Sequence, residues 1–140
     1  MEKYVIAALV VAAVYITVKS VKNQLFKKLQ GLVESKNYTE FFACVDSGIA
    51  QIMISGFERE ILKLSVFIRQ DNKGRTEEQF HSMEEMKKSP GQECDFLAVG
   101  FHYFLKNSQK EKCREIIEKM KKIMPDNQIA QYQQCLCKAD

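Results

Sequence analysis

Asp95 to Pro125 reads DFLAVGFHYFLKNSQKEKCREIIEKMKKIMP. Within it Leu97, Phe101 and Phe104 stand at i, i+4 and i+7, and Cys113, Ile117 and Met120 repeat that spacing. Each triplet lines one face of a helix, and Lys106-Asn107-Ser108 between them has the composition of a break. Pro125 closes the second run, because a residue without an N–H does not continue a helix. The stretch therefore predicts a helical hairpin, with Phe104 among its core anchors.

The same period extends outward from this hairpin. Helix-sized stretches at about 22–35, 38–54, 58–70, 76–88, 92–106, 109–123 and 127–137 alternate with short polar breaks. No stretch alternates with period two, so the fold class is all-α. The first helices of successive hairpins match at a step of 36 residues: Leu25, Leu29, Leu32, then Ile61, Ser65, Ile68, then Leu97, Phe101, Phe104. The second helices carry Phe41, Val45, Gly48, then Gln79, Met83, Met86, then Cys113, Ile117, Met120, at steps of 38 and 34. Two helices per unit at such a period mark a stack of hairpins, because one hairpin cannot bury its apolar face alone. Ile129, Tyr132 and Leu136 then give the last helix one apolar stripe, as a capping helix needs. Glu84–Lys88, Glu115–Lys119 and Glu118–Lys122 have i, i+4 ion-pair spacing.

A separate object precedes the hairpins. Tyr4 to Val18 reads YVIAALVVAAVYITV, fifteen residues without a charge, Gly or Pro, bounded by Lys3 and Lys19. At 1.5 Å per residue the run is roughly 22 Å long, and extension through Val21 brings it to roughly 27 Å against a hydrocarbon core of ~30 Å. Three identities compete: a transmembrane anchor, a cleaved signal peptide and a buried core helix. The anchor is favoured, since the helix is apolar all round and no small-x-small cleavage site precedes Lys19. Residues 1–21 are thus expected to form an anchor, with 4–21 in the lipid bilayer, and 22–140 the helical domain. Lys19, Lys22, Lys27 and Lys28 follow the run with no acid until Glu34, whereas Glu2 and Lys3 precede it. That asymmetry places the C-terminal domain in the cytoplasm. The same lysines also suit anionic lipid headgroups. Five cysteines, an odd number at irregular spacing, fit free thiols in a reducing compartment. The competing class is an exported, disulfide-containing helical domain whose leader is removed.

The hairpin units resemble the tetratricopeptide repeat family. The third unit carries the resemblance best through Leu97, Phe101, Phe104, Cys113, Ile117, Met120 and Pro125, and Tyr38 with Phe41 extends it to the first. The layout is similar to small bacterial single-pass proteins with a degenerate repeat domain of this kind. For such proteins the resemblance implies an interaction role and no activity. It also implies a concave surface lined by the first helix of each unit. Carried onto this chain, the lining is Phe26, Gln30 and Val33, then Leu62, Val66 and Arg69, then Ala98, His102 and Leu105. The Asn and Lys of a carboxylate clamp are missing there. An apolar strip edged by Arg69 and His102 suits an amphipathic helix or an extended apolar segment.

Composition and motifs narrow the chemistry further. The 140 residues carry 21 Lys and Arg against 18 Asp and Glu, a net charge of +3, too small and too evenly spread for a nucleic-acid partner. Six Gly and two Pro exclude collagen-like and Pro-rich classes. Cys135-Leu136-Cys137 puts two thiols about 200° apart on a helix, where they do not share one ion, and no C-x₂-C exists. Cys94 and His102, eight residues apart on one helix, are roughly 12 Å apart along it and cannot form a nucleophile–base pair. Glu77-Glu78 and Glu84-Glu85 fit a solvated surface. Cys44 and Cys113 lie on faces expected to be buried, as small hydrophobes. No enzyme, metal, cofactor or small-molecule substrate is expected; the partner is a protein or peptide.

Overall fold

In the computed structural model, which describes residues 2–139, one unbroken helix α1 (Glu2–Glu34) carries the chain from the apolar run into the first hairpin. The flanking side chains of Glu2 and Lys3, used above for orientation, lie outside the described residues, as do Met1 and Asp140. Seven helices follow: α2 (Tyr38–Val45), α3 (Gly48–Met53), α4 (Gly56–Arg69), α5 (Lys73–Glu84), α6 (Pro90–Lys106), α7 (Lys110–Met120) and α8 (Asp126–Lys138). No strand occurs among the described residues. The chain divides into two compact units, residues 1–70 and 71–140.

The first unit holds α1 to α4. Leu25 and Leu29 on α1 pack with Phe41 and Val45 on α2, Ala50 on α3, Ile54, and Val66 on α4. The expected helix 38–54 is two helices here, because the chain breaks at Asp46-Ser47. Ser47 starts α3 by accepting the Ala50 N–H on its hydroxyl at 3.3 Å. Breaking there lets Ala50 and Ile54 face the core that a continuous helix would have carried past them. The expected boundary at residue 21/22 falls inside α1, where the helix continues without interruption.

A capping box opens α4. The Ser55 hydroxyl accepts the Glu58 N–H at 3.2 Å, and the Glu58 carboxylate accepts the Ser55 N–H at 3.0 Å. Lys22 of α1 reaches the same carboxylate at 3.5 Å. Burial alone would raise the Glu58 pKa; the Ser55 backbone and hydroxyl and the Lys22 charge outweigh it, so the group sits below its ordinary value. A depressed folded pKa stabilises above the unfolded value and is lost as pH falls through the folded one. Glu58→Gln should therefore flatten the acid limb of the first unit's stability, measured by hydrogen exchange across the carboxylate pH range. Superimposable acid profiles for the two proteins would exclude this contribution.

The second unit holds α5 to α8. Leu97 and Phe101 on α6, Cys113, Ile116, Ile117 and Met120 on α7, and Ile129 and Leu136 on α8 form one cluster. Phe101 is fully buried at its centre, whereas Phe104 is only partly buried and packs against the edge. Helix α8 caps the cluster with the expected stripe. The α6–α7 hairpin follows its sequence pattern at Leu97, Phe101, Cys113, Ile117 and Met120, and departs from it at Phe104. Its turn closes like the α1–α2 turn: Lys36 and Ser108 both take positive φ, and Asn37 and Gln109 donate their N–H groups back to Leu32 and Phe104, each at 2.9 Å.

The middle hairpin differs from expectation. Helix α4 closes the first unit and α5 opens the second, so the expected second hairpin is divided between the two. Helix α5 starts at Lys73, where the Asn72 side chain accepts the Arg75 N–H, and it stops at Glu84. Lys88 lies beyond that end and does not pair with Glu84 across a helical turn. Its ammonium, with a side chain only 4% exposed, donates to the carbonyls of Met83, Glu84 and Met86 and pairs with Glu93 at 3.7 Å. It thereby satisfies carbonyls that the helix end leaves open. The other expected pairs also change partner: Lys119 reaches Glu84 of α5 at 3.6 Å, and Glu118 takes Lys121.

Candidate functional site

In α1, every residue from Tyr4 to Val18 is exposed, and none of these side chains is buried by the rest of the chain. Tyr4, Leu9, Val11, Tyr15 and Ile16 are each more than three-fifths exposed. An exposed apolar surface of this size marks a contact site for a membrane or for another protein. The helix is long and apolar enough to cross a membrane.

Further along the same helix, Phe26, Gln30 and Val33 form one wall of a groove in the first unit. Leu62, Val66 and Arg69 of α4 form the other, and Phe41 of α2 lies at its base. The groove encloses about 330 Å³. Its geometry follows from α2, which packs against both α1 and α4 and props them apart. Of the six groove residues expected here, Val66 is 1% exposed and belongs to the core floor, while Phe26, Val33 and Leu62 are partly buried against it. Gln30 and Arg69 stand at the rim, where the Gln30 amide donates to Glu34 at 2.8 Å. Ser65, expected on the buried stripe, is exposed at this rim because α4 buries Leu64 and Val66.

The other three expected groove residues lie on α6 in the second unit. Ala98 is half-buried, His102 is exposed with its ring 6.1 Å from that of Tyr132, and Leu105 packs against the second unit's core. None of them lines the cleft that this unit does contain.

That cleft, of about 280 Å³, opens between α5, α6 and α7. Phe80, Phe96, Leu97, Gly100, Phe104 and Ile116 make its apolar floor, and Glu77, His81, Glu84, Lys112, Glu115 and Lys119 its rim. The Glu84–Lys119 pair joins two sides of the rim, and the Lys112 ammonium lies over the Phe104 ring at 4.7 Å. Sequence reasoning missed this cleft because it placed Gln79, Met83 and Met86 on the buried face of α5. The buried residues are Thr76, Phe80 and Met83. Their i, i+4, i+7 spacing was the available signal.

Gly100 permits the α6–α7 approach beneath the cleft. A Cβ there would meet Ile116 Cδ1 at 3.3 Å and Phe80 Cε1 at 3.4 Å. Gly100→Ala sets a helix-propensity gain of ~1 kcal/mol against that tight contact and should be near neutral. Gly100→Val adds two more carbons and should cost about 1–3 kcal/mol. Denaturant unfolding of both variants checks the pair; equal stability would mean the helices are not in close approach.

Among the described residues no three of His, Cys, Asp and Glu converge as a metal site. Cys135 and Cys137 are exposed on α8, to either side of buried Leu136. Cys44 is half-buried, and Cys113 is fully buried with its Sγ 3.7 Å from the Phe101 carbonyl oxygen. Burial pushes the Cys113 thiol up, against a smaller opposing effect of Arg114, so it is a poor thiolate and packs as a small hydrophobe. Comparison with protein-family models, with curated proteins and with solved structures returned no match.

Proposed function

We propose that this chain is a single-pass, membrane-tethered helical interaction protein. In this reading residues 4–21 lie in the bilayer and the helical units stand on the cytoplasmic side. The groove between α1 and α4 receives an apolar helix or extended segment of another protein. The observation that carries it is the double use of α1. One continuous helix presents an unburied apolar run and then, past Lys22, forms a wall of the groove. A partner held there would sit at a set height above the membrane, because no flexible linker intervenes.

The lysine asymmetry supports the cytoplasmic orientation. The groove's lining supports the partner class. Its floor is aromatic and aliphatic, its rim offers Gln30, Glu34, Ser65 and Arg69, and its volume suits one or two inserted side chains of a helix. Acid and base are balanced at the rim, so neither an acidic nor a basic peptide is selected by charge. No catalysis is assigned to it. The tetratricopeptide resemblance enters here only in coarse form, as helical hairpins that display an apolar surface.

Site-specific photocrosslinking in host membranes tests the proposal. A photoreactive side chain at Ser65, on the groove rim, should give a discrete adduct whose partner peptide is apolar. The same group at Glu85, exposed in the second unit, supplies the background. Identical adducts from both positions, or none from Ser65, would reject the groove as the binding site.

A further inference from the structure

Outside α1, the described residues include three exposed large hydrophobic side chains, and two of them share α3: Ile49 at 61% and Ile52 at 81% exposure. Helix α3 is split by face. Ala50 and Ile54 turn inward to Leu25 and Leu29, and Ile49 and Ile52 turn away from that core.

The Lys22–Glu58 pair marks its level along α1. The chain passes from α3 through Ile54 into α4, whose first turn is tied to Lys22 of α1 by Glu58 at 3.5 Å. Lys22 is four residues beyond Val18, about 6 Å along the helix. Helix α3 therefore lies at the end of the unit where α1 leaves its apolar run. That run is roughly 22 Å long against a hydrocarbon core of ~30 Å. A short span is accommodated by local thinning of the bilayer and by snorkelling of flanking lysines. With residues 4–21 in the bilayer and the stems of Lys19 and Lys22 snorkelling, the headgroup layer lies at about Lys22 to Leu25, next to the Leu25 and Leu29 side chains with which Ala50 of α3 packs. Charge agrees with this. Asp46, the acid beside α3, is held by Lys63 at 2.7 Å, and Lys19, Lys27 and Lys28 are exposed on α1 with no acid among them.

We propose that α3 is a second membrane contact, in which Ile49 and Ile52 seat in the lipid interface beside the anchor and set the tilt of the first unit against the bilayer. This inference rests on the anchoring of α1 proposed above. A rigid helix alone leaves the unit free to spin and tilt about one axis, and a second apolar contact off that axis removes this freedom.

The chain contains no Trp, so a single introduced Trp reports its own surroundings. The full chain is reconstituted in phosphatidylcholine–phosphatidylglycerol vesicles, with and without lipid brominated near the headgroup end of its acyl chains. Three variants are compared: Tyr15→Trp within the apolar run, Ile52→Trp on α3, and Ser35→Trp at the far end of α1, about 20 Å beyond Lys22. Blue-shifted emission strongly quenched by brominated lipid at Tyr15→Trp and Ile52→Trp, but not at Ser35→Trp, is the expected result. Quenching at Tyr15→Trp alone overturns the α3 contact and leaves the anchor standing. No quenching at Tyr15→Trp overturns both. A blue shift at Ile52→Trp without quenching means that protein covers α3, and equal quenching at Ser35→Trp means unspecific adsorption; either result overturns the proposal.

Discussion

Arginine at both Leu9 and Val14 should release the protein from the membrane fraction. Both positions lie within the apolar run, and both side chains are more than half exposed, so neither substitution removes a contact inside the protein. An Arg near the centre of a spanning helix costs about 2.5–3.5 kcal/mol on insertion scales, and loss of the Leu or Val adds about 0.5 kcal/mol. Two such changes total about 6–8 kcal/mol, or roughly four to six decades in partitioning. Sedimentation after alkaline carbonate extraction reads it directly. If the double variant still sediments with membranes, α1 is not what holds the protein there.

Truncation of Phe101 to Ala should nearly unfold the second unit. The ring is fully buried among α6, α7 and α8, 5.0 Å from the Tyr132 ring in an edge-on arrangement. Removing a buried Phe costs about 3–5 kcal/mol, and the cavity would open in the middle of the cluster. A unit of this size has only a few kcal/mol of stability, so the loss takes most of it. Amide exchange in α6 and α7 of the full chain in mild detergent should accelerate by roughly two to three decades. Phe104→Ala is the internal comparison. That ring lies at the edge of the cluster, against Phe80 at 5.3 Å and under Lys112, and its removal should cost about half as much. Equal effects at the two positions would mean that the core is centred elsewhere on α6.

The Asp95–Pro125 stretch shows how far local pattern reaches. Of its two expected triplets Leu97, Phe101, Cys113, Ile117 and Met120 are buried, and Phe104 is only partly so. Their helices are long, strongly periodic and adjacent in the chain, so each finds its partner across a short turn. Helix α4 is the opposite case. Its apolar residues surround the whole cylinder; the repeat spacing put Ser65 inward, and the tetratricopeptide resemblance put Val66 on the open surface. The packed unit buries Val66 and exposes Ser65, so an Asp at Val66 would break the core and not merely block the groove. In α5 a displacement of one residue, from Gln79 to Phe80, hid a whole cleft.

From the sequence by itself follow the helical class, the apolar run at the N-terminus, the α6–α7 hairpin and the capping stripe of α8. Each depends on covalent order and on the 3.6-residue period, which are local properties. Only the tertiary structure decided that α1 is one helix from the apolar run into the core, that residues 38–54 break into two helices, and that the chain parts into two units after Gln70. The reason is physical. Helices of similar propensity can turn any of several faces inward, and the choice is made by the side chains they meet, which belong to residues far away in the chain.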